Sequence, residues 1–547
     1  MEAGTDEEEN RTNQIIDRVN VTGTVWLGTT LECCQCHDHK YDPLTQRDYY
    51  RMFALFNNTP KETYQQTKGS AALDFGGPVV ELPLDPESAR QRMEAAARHE
   101  QVAAELEQCL EDETAGLAAW EREMADAAKA EATKVPANIR KLLAVARGKR
   151  NKNQQNQIRS YFVSLRPETK KMQAEMDELQ KRIESLAPPA TLVMTELNEP
   201  RTTTILERGD FLAPGQRVEP GTPRILPELP KDAPPTRLGL ARWLVNRANP
   251  LTARVQVNRA WTQFFGRGIV ASEEDFGTQA DEPTHPELLD WLATQFRDRG
   301  WSLKMIHRRI AESATYRQSS KFRSDVANRD PNNLLLARAP RLRLTAELIR
   351  DNALVISGLM SAKMYGPPVH PLQPEGIWRV TGAVDNTYRT SGGEDALRRG
   401  VYTVWRRSAP YPSFVNFDAP DRAACTVKRP RSNTPLQALT LQNDPVYVEL
   451  AEALADRLMF ETANRALDEQ LTHAFRTVVT RRPTSAEIVA LHATYQDARE
   501  TYRGDPKAAQ RITGERTLPA AATAAAWAAW FNVSQVLLNL DETITKN

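Results

Sequence analysis

The segment PETKKMQAEMDELQKRIESLAPP (167–189) places Met172, Met176, Leu179, Ile183 and Leu186 at alternating four- and three-residue steps, with charged or amide side chains filling most other positions. That spacing is the seam of a coiled coil, one narrow apolar stripe on a polar helix. Such a stripe needs a partner. Upstream, Leu106, Cys109, Leu117, Trp120 and Met124 form a weaker seam interrupted by Glu113, and Pro136 and the basic run GKRNKNQQNQ (148–157) separate the two. An antiparallel hairpin over 84–189 satisfies both seams within one chain, because neighbouring helices are joined by short connections. Pro188-Pro189 stops it.

Outward from the hairpin the character changes. Residues 190–235 combine β-branched runs (Thr191–Val193, Thr202–Leu206) with Pro214-Gly215, Pro220-Gly221 and Pro234-Pro235, which predicts short strands in a Pro-rich linker. From 236 to 547 helix signals dominate, and Trp243, Trp261, Trp291, Trp378 and Trp405 are expected in the core. Thr284 with Glu287, Thr434 with Gln437 and Thr484 with Glu487 read as helix starts, and Val401–Trp405 reads as a strand. Residues 14–56 read as a helical region broken by a loop. In it Thr45 and Asp48 open a helix whose Tyr49, Tyr50, Met52, Phe53 and Phe56 form an aromatic face. The expected fold is mainly α, a helical multidomain protein with an antiparallel coiled-coil hairpin and a small β/Pro-rich linker.

Composition narrows the function classes. The 547 residues carry 71 basic and 71 acidic side chains, so the basic surplus that a nucleic-acid binder needs is missing. Mean hydropathy is −0.55, and no apolar run approaches the ~18 residues of a membrane span. Five cysteines are too few for a disulfide scaffold. Residues 1–14 are acidic and polar, without a basic start and apolar core of a secretory signal. Read literally this is a cytoplasmic start; the other reading is that the chain begins inside a longer protein.

One motif carries chemistry. Cys33-Cys34-Gln35-Cys36-His37 contains Cys-x-x-Cys-His, the spacing of covalent c-type haem attachment. Two thiols one short turn apart reach two vinyl groups, and the next residue supplies the axial imidazole. Three alternatives stand beside it: a buried free-cysteine cluster, a metal site of Cys33, Cys36, His37 and His39, and disulfide exchange between Cys33 and Cys36. Met52 is a candidate sixth ligand, or a core methionine.

Residues 15–59, with Cys33 to Pro43 and Asp48-Tyr49-Tyr50 at their centre, resemble the C-terminal end of the planctomycete cytochrome-C-like domain. Downstream, NPLTARVQVNRAWTQFFGRGIV (249–270), EDFGTQADEPTHPELLDWLA (274–293), DPNNLLLARAPRLRLTAELIRDNAL (330–354), FDAPDR (417–422) and NTPLQALTLQND (433–444) resemble the PSD domain of the same proteins. RGDFLAPGQRVEPG (208–221) matches the linker between them. The resemblance implies an exported bacterial protein of unknown function, set in the periplasm or at the cell surface. It also implies haem c on Cys33 and Cys36 with His37 as proximal ligand, and an N-terminal domain represented only by its end.

Two function classes follow. One is a haem-carrying redox protein with a partner oxidoreductase. The other is a non-redox module, binding or hydrolysing an extracellular polymer, with the hairpin as a docking arm. Neither involves nucleic acid, and no catalytic triad, phosphate loop or His-Glu-x-x-His motif is present.

Overall fold

The structure is a computed structural model that describes residues 6–546 except 66–72, 76, 113, 130–134, 166, 381–386 and 521. Helix predominates, and the described strands form four two-stranded sheets. The chain divides into two compact units, Met1–Glu7 with Thr59–Asn198, and Glu8–Asn58 with Glu199–Asn547.

In the first unit, strands Val79–Glu81 and Ala190–Leu192 pair antiparallel, Val80 opposite Thr191. The helices that follow and precede them, Pro86–Asp112 and Pro167–Ser185, pack along each other. An Arg98–Glu175 ion pair of 2.8 Å joins them. Met172, Met176, Leu179, Ile183 and Leu186 are each partly covered among exposed neighbours, as their spacing predicts. Opposite them, Ala95, Val102 and Leu106 are buried, again at seven- and four-residue steps.

The weaker seam splits. Leu106 belongs to the long pair, whereas Leu117, Trp120 and Met124 join a separate core of Val135, Ile139, Leu143 and Ile158. There Trp120 lies 5.3 Å from Phe162. Glu113, taken as the interruption, lies outside the described residues. The basic run expected as a separator is instead partly helical, Lys152–Ser164. Arg150 within it is buried, held by the carbonyl oxygens of Val145 and Leu143 and by Glu121 at 3.0 Å. A guanidinium so satisfied can enter a core that an unpaired charge could not.

Among the described residues the second unit has three cores. The first combines Ile15, Val19, Leu27, Leu31, Cys34, Tyr49, Tyr50 and Met52 with Leu206, Val218, Leu240 and Trp243, so the N-terminal helices and the Pro-rich stretch share one interior. The second gathers the helices Thr252–Phe265, Pro286–Asp298 and Leu303–Glu312 around Trp261 and Phe265. The third is built by the C-terminal helices around Tyr447, Leu454, Phe475, Trp527 and Leu537. Strand Thr545–Lys546 pairs with Leu342–Arg343 and ties the chain end back.

Three local expectations need correction. Trp291 is 47% exposed, on the outer side of its helix. Val401–Trp405 is no strand: Gly400–Tyr402 is a 3-10 turn, and Thr403 makes only an isolated bridge to Val369. The Gly400 N–H is taken by Asp351 at 2.6 Å, which pins the chain to a helix and not to a sheet. Thr284 does not cap its helix either; His285 is the cap residue, its side chain bonded to the Thr284 hydroxyl and not to a helix N–H, and Thr284 lies 3.3 Å from the Ile269 carbonyl.

Candidate functional site

The Cys-x-x-Cys-His turn begins where the helix Glu7–Thr22 loosens into a π turn, Gly23–Leu27. Two carbonyls of that turn are held by the Thr252–Phe265 helix: Arg259 donates to Thr24 and Val25, and Gln256 to Val25, at 2.7–2.8 Å. A 3-10 helix, Leu31–Gln35, follows, with Cys36 as its C-cap. Three residues per turn eclipse positions i and i+3, so Cys33 and Cys36 fall on one side. Both are exposed. Cys34, a third of a turn away, is buried with its thiol toward the Leu44 carbonyl at 3.6 Å, and burial pushes that thiol up to about 11.

The two histidines differ in the same way. His37 is exposed, and its Nδ1 lies 2.7 Å from the Asp38 carbonyl oxygen. A carbonyl only accepts, so Nδ1 carries the proton and Nε2 keeps a free lone pair in the neutral ring. His39 is the opposite tautomer: its Nδ1 accepts the Asp42 N–H at 2.8 Å, and its Nε2 faces the Thr30 hydroxyl at 3.1 Å. Both ring nitrogens of His39 are thereby used. The four-ligand metal alternative of Cys33, Cys36, His37 and His39 is not assembled; no His/Cys/Asp/Glu group of three is placed to hold an ion among the described residues.

A second ring of contacts sets the turn in place. The Gln35 carbonyl accepts from the Tyr50 hydroxyl at 2.9 Å and from Gln46 Nε2 at 3.2 Å. The helix carrying both, Gln46–Asn57, starts with a Thr45–Asp48 capping box, as expected. Its Met52 is fully buried in the core. The stretch read as a linker is a β-hairpin, Thr203–Leu206 with Pro214–Val218, whose tip reaches the motif: Cys36 Sγ lies 3.2 Å from the Arg208 carbonyl. Gly209 beside it has φ +79°, and a Cβ there would fall 3.1 Å from Cys36 Sγ. Tyr41 and Leu212, both more than half exposed, provide apolar surface on the two loops. Two accessible thiols, one accessible imidazole nitrogen and a side-chain-free glycine make a donor set suited to covalent haem attachment.

The turn is also tied to the helical body. The Thr278 N–H and hydroxyl both donate to Asp42 Oδ1, at 2.7 and 3.0 Å. Sequence reasoning gave no hint of this link, since nothing local marks it.

Residues 236–495 match the PSD1 family model, a protein of unknown function (DUF1553), and residues 1–61 match PSCyt2, a protein of unknown function (DUF1549). The chain carries a PSCyt2 segment followed by PSD1. No curated protein and no solved structure matches it. The PSCyt2 segment holds the motif, and PSD1 supplies Arg259, Gln256 and Thr278, which hold that segment in place.

Several polar residues of PSD1 serve its framework. Buried Arg350 donates to the carbonyls of Arg398 and Ala396. Asp351 receives Arg399 and the Gly400 N–H. Arg341 pairs with Asp541. Asp418, at φ +62°, accepts the Ser432 N–H and hydroxyl. His370 sits among Trp378 and Tyr388, ring centroids 5.6 and 5.3 Å away. Among the described residues no helix is long and apolar enough to cross a membrane.

Proposed function

We propose that the Cys33–His37 turn attaches a c-type haem and that the protein carries electrons to or from a partner oxidoreductase in an exported compartment. The observation that supports this best is the tautomer of His37. Its Nδ1–H donates to the Asp38 carbonyl, which leaves the Nε2 lone pair exposed beside two exposed thiols. A backbone partner on one nitrogen orients the ring and raises the basicity of the other, the usual second-shell arrangement of a ligand histidine. Cys33 and Cys36 would form the thioethers, His37 would bind the iron, and Cys34 would stay a core residue. When bound, the haem supplies a one-electron couple. Periplasm or cell surface is the setting that fits such attachment.

The test is a visible spectrum of the chain expressed with a cytochrome c maturation system. A Soret band with a reduced α-band is expected, and His37→Ala should keep the covalent pigment but alter its axial-ligand spectrum. A colourless protein, or a spectrum indifferent to His37→Ala, overturns the reading.

A further inference from the structure

After the Thr252–Phe265 helix the chain turns back and buries Glu273 to 2% exposure. Among the described residues its Oε1 atom has no hydrogen-bond partner, a costly state for a buried acceptor. Burial raises the pKa of this carboxyl, opposed by Lys428, by the Thr262 hydroxyl and by Arg259, and aided by Glu274. An acid held at such a cost calls for a partner.

Glu273 forms part of the wall of a cavity of about 550 Å³, closed elsewhere by Thr262, Thr345, Glu347 and the 426–431 loop. That volume is in the range of small-molecule sites. Of the cations on the loop, Arg429 is engaged by Glu347 at 2.8 Å. Lys428 and Arg431 line the same cavity and are exposed, and among the described residues neither has an ion-pair partner. The loop is anchored just downstream by the bonds of Asp418 to Ser432, so the two cations hang on a fixed frame.

We propose that this cavity binds a small hydroxylated carboxylate, its anionic end received by Lys428 and Arg431 and its hydroxyls donating to Glu273 and the neighbouring threonines. The two deficits are complementary. The two cations attract an anion beyond the Glu273 carboxyl that they already feel, and the unpartnered acceptor takes a donor. A plain carboxylate would bring no donor to Glu273, and an uncharged polyol would leave both cations unspent. Apolar and polar groups share the lining, Val401 and Val427 among the former, so the charged and hydroxyl groups must set the choice of ligand.

Isothermal titration calorimetry on the full chain tests this with D-gluconate, sorbitol and hexanoate as probes. Saturable gluconate binding with Kd below about 10 mM is expected, with sorbitol and hexanoate at least about tenfold weaker. Lys428→Ala with Arg431→Ala should remove the advantage over sorbitol. Glu273→Gln, close in shape, should shrink the advantage over hexanoate severalfold. Both cations lie on the exposed loop, so the double variant, shown by circular dichroism to keep the parent's fold, decides the matter even if Glu273→Gln folds poorly. No saturable gluconate binding, equal binding of the three probes, or binding unaffected by the double variant overturns the proposal. A gluconate-to-hexanoate preference unchanged in Glu273→Gln overturns the part given to Glu273.

Discussion

Asp42 and Thr278, 236 residues apart, are joined by two hydrogen bonds onto a single carboxylate oxygen. One lies five residues after His37, the other in PSD1, so the bonds fasten the haem-type motif to the helical body. Gly277 permits the approach: a Cβ there would fall 2.3 Å from Asp42 Oδ2.

Asp42→Ala should destabilise the protein by about 1–2 kcal/mol, because it removes the buried carboxylate that accepts both bonds from the exposed Thr278. Asp42→Asn keeps an acceptor and should cost less. Gly277→Ala should also destabilise, and its penalty should shrink in the Asp42→Ala background, where the clash partner is gone. Urea denaturation of the four-member cycle measures this. Strict additivity would show that the contact is not made.

The thiols should separate by reactivity. At about pH 8 Cys34, with its pKa near 11, presents on the order of one thiolate in a thousand, and it is also shielded. Iodoacetamide should therefore label Cys33 and Cys36 of the native protein and leave Cys34 until urea is added. Tandem mass spectrometry reads the positions, and prompt labelling of Cys34 would refute its burial.

Much of this was legible in the sequence where the signal is local. The Met172–Leu186 stripe is drawn in long apolar side chains, and the Thr45–Asp48 and Thr484–Glu487 boxes involve residues three apart. The facing stripe was harder to read because small Ala95 and polar Arg92 and His99 occupy it. The inward turn of Cys34 and the outward turn of Cys33 and Cys36 follow from the 3-10 period, which the sequence does not announce. Contacts such as Cys36 with Arg208, or Asp42 with Thr278, have no local mark at all, so RGDFLAPG read as a linker although its hairpin tip touches the motif.

Acid should weaken the C-terminal helices through one cluster. Arg481 binds Glu487 at 2.6 Å and Glu542 at 2.7 Å, and the Arg481 bond holds Glu487 down at about 2. A depressed carboxylate pKa gives stability that is present above the unfolded value, about 4.3, and lost as pH falls toward 2. The pair is a third exposed or more, so solvent screening keeps the effect under about 1 kcal/mol. Arg481→Met should flatten the fall in urea midpoint between about pH 4.5 and 2. An unchanged slope would assign the acid sensitivity elsewhere.

Excision of residues 86–187 should leave the unit of Glu8–Asn58 and Glu199–Asn547 folded. The strands flanking the cut are already paired, Val79 with Leu192 and Glu81 with Ala190, so a short turn can join them. Single cooperative unfolding by circular dichroism is expected; its loss would show that the helices contribute to that unit's core.

The most direct measurement is the intact mass of the chain secreted to a periplasm together with the maturation system. The account predicts one haem adduct per chain that survives denaturation, persists in Cys34→Ala, drops to single-thioether or no attachment in Cys33→Ala and Cys36→Ala, and is absent when both are replaced. An unmodified mass in the parent, or an adduct that depends on Cys34 and not on Cys33 and Cys36, would contradict it.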